Sequence, residues 1–205
     1  MRRPTRWPPR AALSVAGVAT IGLVLLFMFG PLAERPAIAE EAVQSASAAL
    51  DPALNLPAWM DFELIDAVTE ESFTIRELIG KPILLESFAV WCSICLRQQK
   101  EMALLVEREG DRIVHISLDT DPNEDLAKVR EHALAHGFDW RYAVAPIEMT
   151  QQLIEAFGLT VVNAPRAPVV LIEPDGSSRL LPNGVKSADR LLEEIGLKPT
   201  PEDGE

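Results

Sequence analysis

The stretch from Ile83 to Cys95 constrains this chain more than any other. Ile83-Leu84-Leu85-Glu86-Ser87-Phe88 is nearly continuous in apolar character, Ala89-Val90-Trp91-Cys92-Ser93-Ile94-Cys95 comes next, and a helical pattern begins there. A strand this apolar must be covered on both faces, so the pattern calls for a sheet with helices above and below. The stripe Cys95/Leu96, Gln99, Met102/Ala103 and Val106 predicts a helix that Gly110 ends. The two cysteines of the protein, Cys92 and Cys95, therefore fall in the first turn of that helix, close enough to form a disulfide there. Unpaired backbone N–H groups and the positive end of the helix dipole favour a thiolate at that place. Cys92 is then the attacking sulfur near neutral pH, and Cys95 is placed to resolve a mixed disulfide.

The remaining segments read as alternating strands and helices. Asp61 to Val68 and Ser72 to Ile75 suggest a short hairpin turning at Thr69-Glu70-Glu71, and Arg76 to Ile79 a helical turn. Arg112 to Leu118 reads as a strand. In Asp119-Thr120-Asp121-Pro122 a cap candidate and a proline precede a helix at Asn123–His136. Trp140 to Ala145 reads as a strand and Ile147 to Phe157 as a helix. Val169 to Glu173 and Ser178 to Leu181 form a hairpin around Pro174-Asp175-Gly176-Ser177, and Ser187 to Ile195 is the last helix. The order describes an α/β fold with a mixed sheet.

The N-terminal region carries a different signal. Residues 1–10 hold Arg2, Arg3, Arg6 and Arg10 and no acid, and residues 11–30 hold no charge. About 20 apolar residues can cross a hydrocarbon core of roughly 30 Å. The arginines should stay in the cytoplasm, which exports the chain beyond Gly30. The segment is thus a transmembrane anchor or, with Ala37-Ile38-Ala39 as a cleavage site, a signal peptide that leaves a secreted domain. Residues 31–55 read as a linker, 56–197 as the folded domain and 198–205 as a disordered tail.

Ile83 to Cys95 resembles the active-site strand and motif of thioredoxin-fold proteins, and within them the membrane-anchored extracytoplasmic thiol–disulfide oxidoreductases of the TlpA and ResA type. The likeness runs from about Trp59 to Leu197. It implies a thioredoxin-like fold with an extra strand and helix between Arg112 and Ala145. In that pattern the place of Glu86 carries a buried acid, usually Asp, which would move a proton to or from Cys95; otherwise Glu86 points into a watery cleft. Pro168 matches the family's cis-proline, with Pro165 as the competing candidate. The Ala167–Pro168 backbone would then bind an extended substrate chain, although Val169-Val170 stand where threonines are usual. The alternative is an ordinary proline opening a strand. Trp91 offers a docking face or fills the rim. The resemblance implies no cofactor beyond the redox-active disulfide Cys92–Cys95. The partners it implies are cysteine-containing exported proteins such as apocytochromes and a membrane thiol reductase or oxidant.

Charge and the histidines bound the other readings. A net charge of -12 argues against nucleic acid as a partner. A structural zinc site needs four ligands, and no second ligand pair at familiar spacing accompanies the cysteines. His132 and His136 share a helix face, which leaves an extracytoplasmic metal (copper) chaperone using the same cysteines as the alternative function. His115, between Val114 and Ile116 on a strand, reads as structural.

Overall fold

The computed structural model describes residues 55–198. The expected anchor at 11–30, the basic segment before it and nearly all of the linker and tail lie outside those residues. Among the described residues no helix is long and apolar enough to cross a membrane.

The strands and helices alternate as the pattern requires. β1 (Leu64–Ile65) and β2 (Ser72–Phe73) make a small antiparallel hairpin. Then come β3 (Ile83–Phe88), α1 (Ser93–Glu109), β4 (Val114–Asp119), α2 (Leu126–His136), β5 (Arg141–Val144) and α3 (Ile147–Phe157). β6 (Val169–Ile172), β7 (Ser178–Leu180) and α4 (Ala188–Ile195) complete the domain. The five-stranded sheet runs β5-β4-β3-β6-β7. β3, β4 and β5 are parallel, and β6 and β7 join antiparallel to each neighbour. Every residue of β3 is buried, as a central strand demands.

Strand parity divides the apolar side chains into two cores. Ile83 and Leu85 join Ile116, Leu118, Val170 and Ile172 against Met149 and Leu153 of α3. Leu84 and Phe88 join Val169, Leu171 and Tyr142 against α1, α2 and α4. Glu86 lies between Leu84 and Phe88 in the alternation, so the pleat directs it toward the α1 face, where the cysteines are. Register sets Glu86 beside Ser117 of β4, and Ser117 beside Tyr142 of β5. A buried polar row thus crosses three strands beneath α1.

Several elements are shorter than the pattern suggested, each for a local reason. The first hairpin strand stops before Asp66, whose Oδ1 accepts the N–H groups of Val68 and Thr69 at 2.8 and 3.3 Å and starts the turn. Asp121 does not cap α2; it accepts the Asn123 N–H at 2.9 Å and closes a turn of its own. Asp125 is the cap, taking the Lys128 N–H at 2.9 Å, so the helix begins at Leu126. Two 3-10 turns, Leu159–Val162 and Ala164–Arg166, fill what the pattern left as loop before β6.

Burial makes the two faces of the domain unequal in their tolerance. Leu84 is fully buried in β3, whereas Leu104 of α1 is half exposed. Leu84→Ala is expected to lower unfolding free energy by about 2–5 kcal/mol, and Leu104→Ala to change it by less than about 0.5 kcal/mol. Urea midpoints of the two variants test this.

Candidate active site

α1 begins at the dithiol. Cys92 is the N-cap with extended backbone, and its Sγ accepts the Cys95 N–H at 3.1 Å. One of the orphan amides of the first turn therefore points at the sulfur expected to attack. Cys92 and Cys95 are free thiols, 3 % and 1 % exposed. The Cys95 thiol donates to the Ala164 carbonyl at 3.1 Å. Burial, the hydrogen bond to Cys92 and the charge of Glu86 all push the Cys95 thiol far up. Left to itself this thiol stays protonated.

Glu86 lies fully buried behind Cys95. The structure places it in the core, not in a watery cleft. Burial raises its pKa to about 8, against the opposing pull of Gln99, Ser117 and the positive charge of Lys186. Ser117 Oγ donates to Glu86 Oε2 at 3.0 Å, and the same hydroxyl accepts the Trp140 indole N–H at 3.0 Å. The indole occupies the hydroxyl oxygen, which leaves its hydrogen for the carboxyl. Glu86 Oε1 has no hydrogen-bond partner within the described residues. Gln99, one turn after Cys95, is itself fixed by His132, whose Nε2 lies 2.7 Å from Gln99 Oε1.

A second acidic group supports the segment just before Cys92. Glu124 Oε2 accepts the Val90 N–H at 2.7 Å, and Asp121 Oδ2 accepts the Trp91 indole N–H at 2.7 Å. Asp119, buried at the end of β4, is raised to about 8 by its burial and by the Glu124 carboxyl beside it. Trp91 is 62 % exposed on the rim. It faces Leu159, Val162, Ala164 and Pro165 across a groove of about 480 Å³.

The proline expectation needs correcting. No peptide bond among the described residues is cis, neither before Pro168 nor before Pro165. The chain reverses instead through the 3-10 turn Ala164–Arg166, which ends in Ala167 at φ 46°, in the left-handed region. The segment reaches the dithiol at Ala164, whose carbonyl accepts from Cys95, but the Ala167–Pro168 backbone is not open to an extended substrate chain: both residues are buried, the Ala167 N–H donates to Ala164, and the two carbonyls accept from Lys186 Nζ and the Ser87 N–H.

The histidines take structural places. His115 is buried and pushed down to about 4 by desolvation. His132 packs against Phe88 and His136, with ring centroids 5.5 and 4.8 Å away. Among the described residues no three His, Cys, Asp or Glu side chains converge to hold a metal ion.

Sequence reading located Cys92, Cys95 and Glu86, and the structure brings them together. It missed Ser117, Trp140, Gln99, Asp119, Glu124 and Lys186. The acids Asp119, Asp121 and Glu124 did carry a signal. They come after a strand parallel to β3, and the C-terminal ends of adjacent parallel strands lie side by side.

No family model and no curated protein matches the sequence. Solved structures do. A secreted Mycobacterium tuberculosis disulfide oxidoreductase homologous to E. coli DsbE matches at TM-score 0.54 and 15 % identity, over 67 % of this chain and 96 % of that one. A thiol:disulfide interchange protein of the thioredoxin family from Chlorobium tepidum gives 0.54 and 20 %, over 66 % and 90 %. BsSco, of the Sco family of cytochrome c oxidase assembly proteins, gives 0.53 and 18 %, over 66 % and 89 %. The fold is thioredoxin-like: a mixed central sheet flanked by helices, with the dithiol where the first long helix begins.

The raised Glu86 has a measurable consequence. Its pKa in the fold, about 8, lies above the ordinary carboxylate value of 4.5. The protonated form is thus favoured by folding, and the stability it contributes, complete below pH 4.5, is lost as pH rises through about 8. Each pH unit of that gap corresponds to about 1.4 kcal/mol. Glu86→Gln, which stays neutral, should gain several kcal/mol relative to the parent chain between pH 4.5 and 9. Urea unfolding across that range checks it, and parallel stability curves would contradict it.

Proposed function

We propose that this chain is a thiol–disulfide oxidoreductase that exchanges disulfides with exported proteins through Cys92 and Cys95. The observation that carries the reading is the Cys95 N–H donated to Cys92 Sγ at the N-cap of α1, 3.1 Å away. The fold shared with a secreted disulfide oxidoreductase supports it.

The chemistry stems from the two sulfurs having different surroundings. The Cys92 thiolate attacks a substrate disulfide. A Cys92–substrate bond forms, and the substrate's other sulfur leaves as a thiolate. Cys95 then needs to lose a proton its own environment holds tightly. Glu86, when ionised, takes that proton, and the Cys95 thiolate attacks Cys92 Sγ. The Cys92–Cys95 disulfide forms, the substrate leaves with both sulfurs reduced, and the enzyme carries the oxidising equivalent. In the reverse direction a protonated Glu86 returns the proton to Cys95. With its pKa near 8, Glu86 serves either direction close to neutral pH.

The exposed Trp91 and, across the groove from it, Ala164 and Pro165 form the docking rim for the substrate chain. The arginines of residues 1–10 and the uncharged run 11–30 support an extracytoplasmic domain held by an anchor. On the motif's likeness to the TlpA and ResA type, the exchange partners are exported proteins such as apocytochromes, with a membrane thiol reductase or oxidant resetting the dithiol.

Two measurements test the proposal. Cys95→Ser should accumulate a mixed disulfide through Cys92, visible as a higher-mass, reductant-sensitive adduct on non-reducing gels of membranes from the native cells. Absence of any adduct, with the thiol of Cys92 still alkylatable, would remove the exchange reading. Glu86→Gln should slow closure of the Cys92–Cys95 bond at pH 8 by about a hundredfold, monitored by stopped-flow Trp91 fluorescence.

A further inference from the structure

Lys186 is a buried lysine in the loop before α4, 5 % exposed. Its three ammonium hydrogens have three carbonyl partners: Ala167 at 2.6 Å, Gly184 at 2.6 Å and Pro182 at 3.3 Å. Its backbone is fastened to α1, where Gln98 Oε1 accepts the Lys186 N–H at 2.8 Å and Gln98 Nε2 donates to the Lys186 carbonyl at 3.1 Å. Gly184 N–H donates to Arg166 O at 2.8 Å, and Leu181 N–H to Val169 O at 2.8 Å, so the loop is stitched along the whole Arg166–Val169 segment. One residue therefore links the helix that carries the thiols to the segment whose Ala164 carbonyl holds Cys95.

The position of the ammonium is unusual in two respects. It grips the carbonyl of Ala167, a non-glycine residue in the left-handed region, where L side chains rarely stay without support. It also bears on Glu86, which carries no arginine or lysine on its own strand. The charged and titratable groups around this pair come from four elements: Glu86 from β3, Cys95 from α1, Tyr142 from β5 and Glu194 from α4. Burial pulls the lysine down to about 8, while Glu86 and then Glu194 pull it back up.

We propose that Lys186 is a positioning residue that ties the charge on Glu86 to the posture of the Ala164–Pro168 segment. When Glu86 is ionised, the ammonium is held in its charged form and keeps its grip on Ala167. When Glu86 takes the proton of Cys95, that attraction ends, and the grip on the segment weakens as the Cys92–Cys95 bond closes and the substrate must leave. Proton transfer and release of the docked chain are thereby one coupled event. This rests on the dithiol-exchange reading, with Lys186 acting through Glu86 and Ala167 and touching neither sulfur.

The test uses the full-length chain with two readouts. Carbon-13 NMR titration of the Glu86 carboxyl, assigned by its loss in Glu86→Gln, tracks the electrostatic link without needing activity. In Lys186→Met the Glu86 midpoint should move up by about one pH unit. Lys186→Arg, which keeps the charge, should restore it, and Lys186→Gln, which keeps only hydrogen-bond donors, should not. The second readout is single-turnover reduction of insulin by the reduced protein. Lys186→Met should raise the half-saturating insulin concentration about tenfold, and Lys186→Gln by less. If Lys186→Met does not fold, the Gln and Arg variants carry the comparison. A Glu86 midpoint that is the same in the Gln, Met and parent proteins would overturn the proposal, as would a half-saturating concentration in Lys186→Met equal to that of a parent that reduces insulin. A parent that reduces no disulfide, yet shows the NMR shift, would remove the exchange reading and leave the electrostatic link standing.

Discussion

A carboxyl group held in the apolar face under α1 is the constraint around which the site is arranged. Strand parity puts Glu86 on the same side of the sheet as the dithiol, and the helix that buries Cys95 also removes water from Glu86. Burying an ionised carboxylate without partners is prohibitively costly, so the group must become neutral, find donors or do both. Here it does both. Its pKa is near 8, and Ser117, oriented by Trp140, supplies a donor to one oxygen. Ser117 on β4 and Trp140 just before β5 make sense as accommodation of this one group.

The two cysteines differ for the same reason. Cys92 stands at the helix boundary and receives a backbone N–H, whereas Cys95 is one turn inside, bound to a carbonyl acceptor and under the field of Glu86. An acceptor carbonyl favours the protonated form of the thiol that donates to it. Burial, the Cys92 hydrogen bond and the Glu86 charge hold the proton on Cys95, whose thiol donates to the Ala164 carbonyl, whereas Cys92 meets a backbone N–H. The sequence in between, Ser93-Ile94, only sets the spacing that puts them one turn apart.

Much of this was legible without coordinates, because it is carried by period and spacing. The apolar run of β3, the helical stripe of α1 and the glycine after it gave the strand–dithiol–helix order within a residue or two. Glu86 stood out as the one acid in a strand that had to be buried. What stayed hidden depends on contacts between residues far apart in the chain. Lys186 lies 100 positions from Glu86 and reads as an ordinary loop lysine until the loop folds back over Ala167. Asp121 looked like a cap because a proline comes directly after it, yet the strand end above it left its side chain to the Trp91 indole. Ala167 carried no sign of its left-handed backbone, since alanine has no preference for it. Local pattern locates the reacting groups; tertiary contact decides what orients them.

Two proton-holding carboxyls flank the dithiol, and they differ in what ionisation would disturb. Asp119 sits with Glu124 at the end of β4, and Glu124 holds the Val90 N–H at the turn that leads into Cys92. Glu86 sits on the far side, behind Cys95. Both are raised to about 8, so each stays largely protonated at neutral pH. Ionising Asp119 would put its charge beside the Glu124 carboxyl under the turn that leads into Cys92, whereas the charge of an ionised Glu86 is offset by the positive charge of Lys186. The first charge has no cation among the groups acting on it, and the second does. On the proposed exchange chemistry, that difference supports Glu86 over Asp119 as the acceptor of the Cys95 proton.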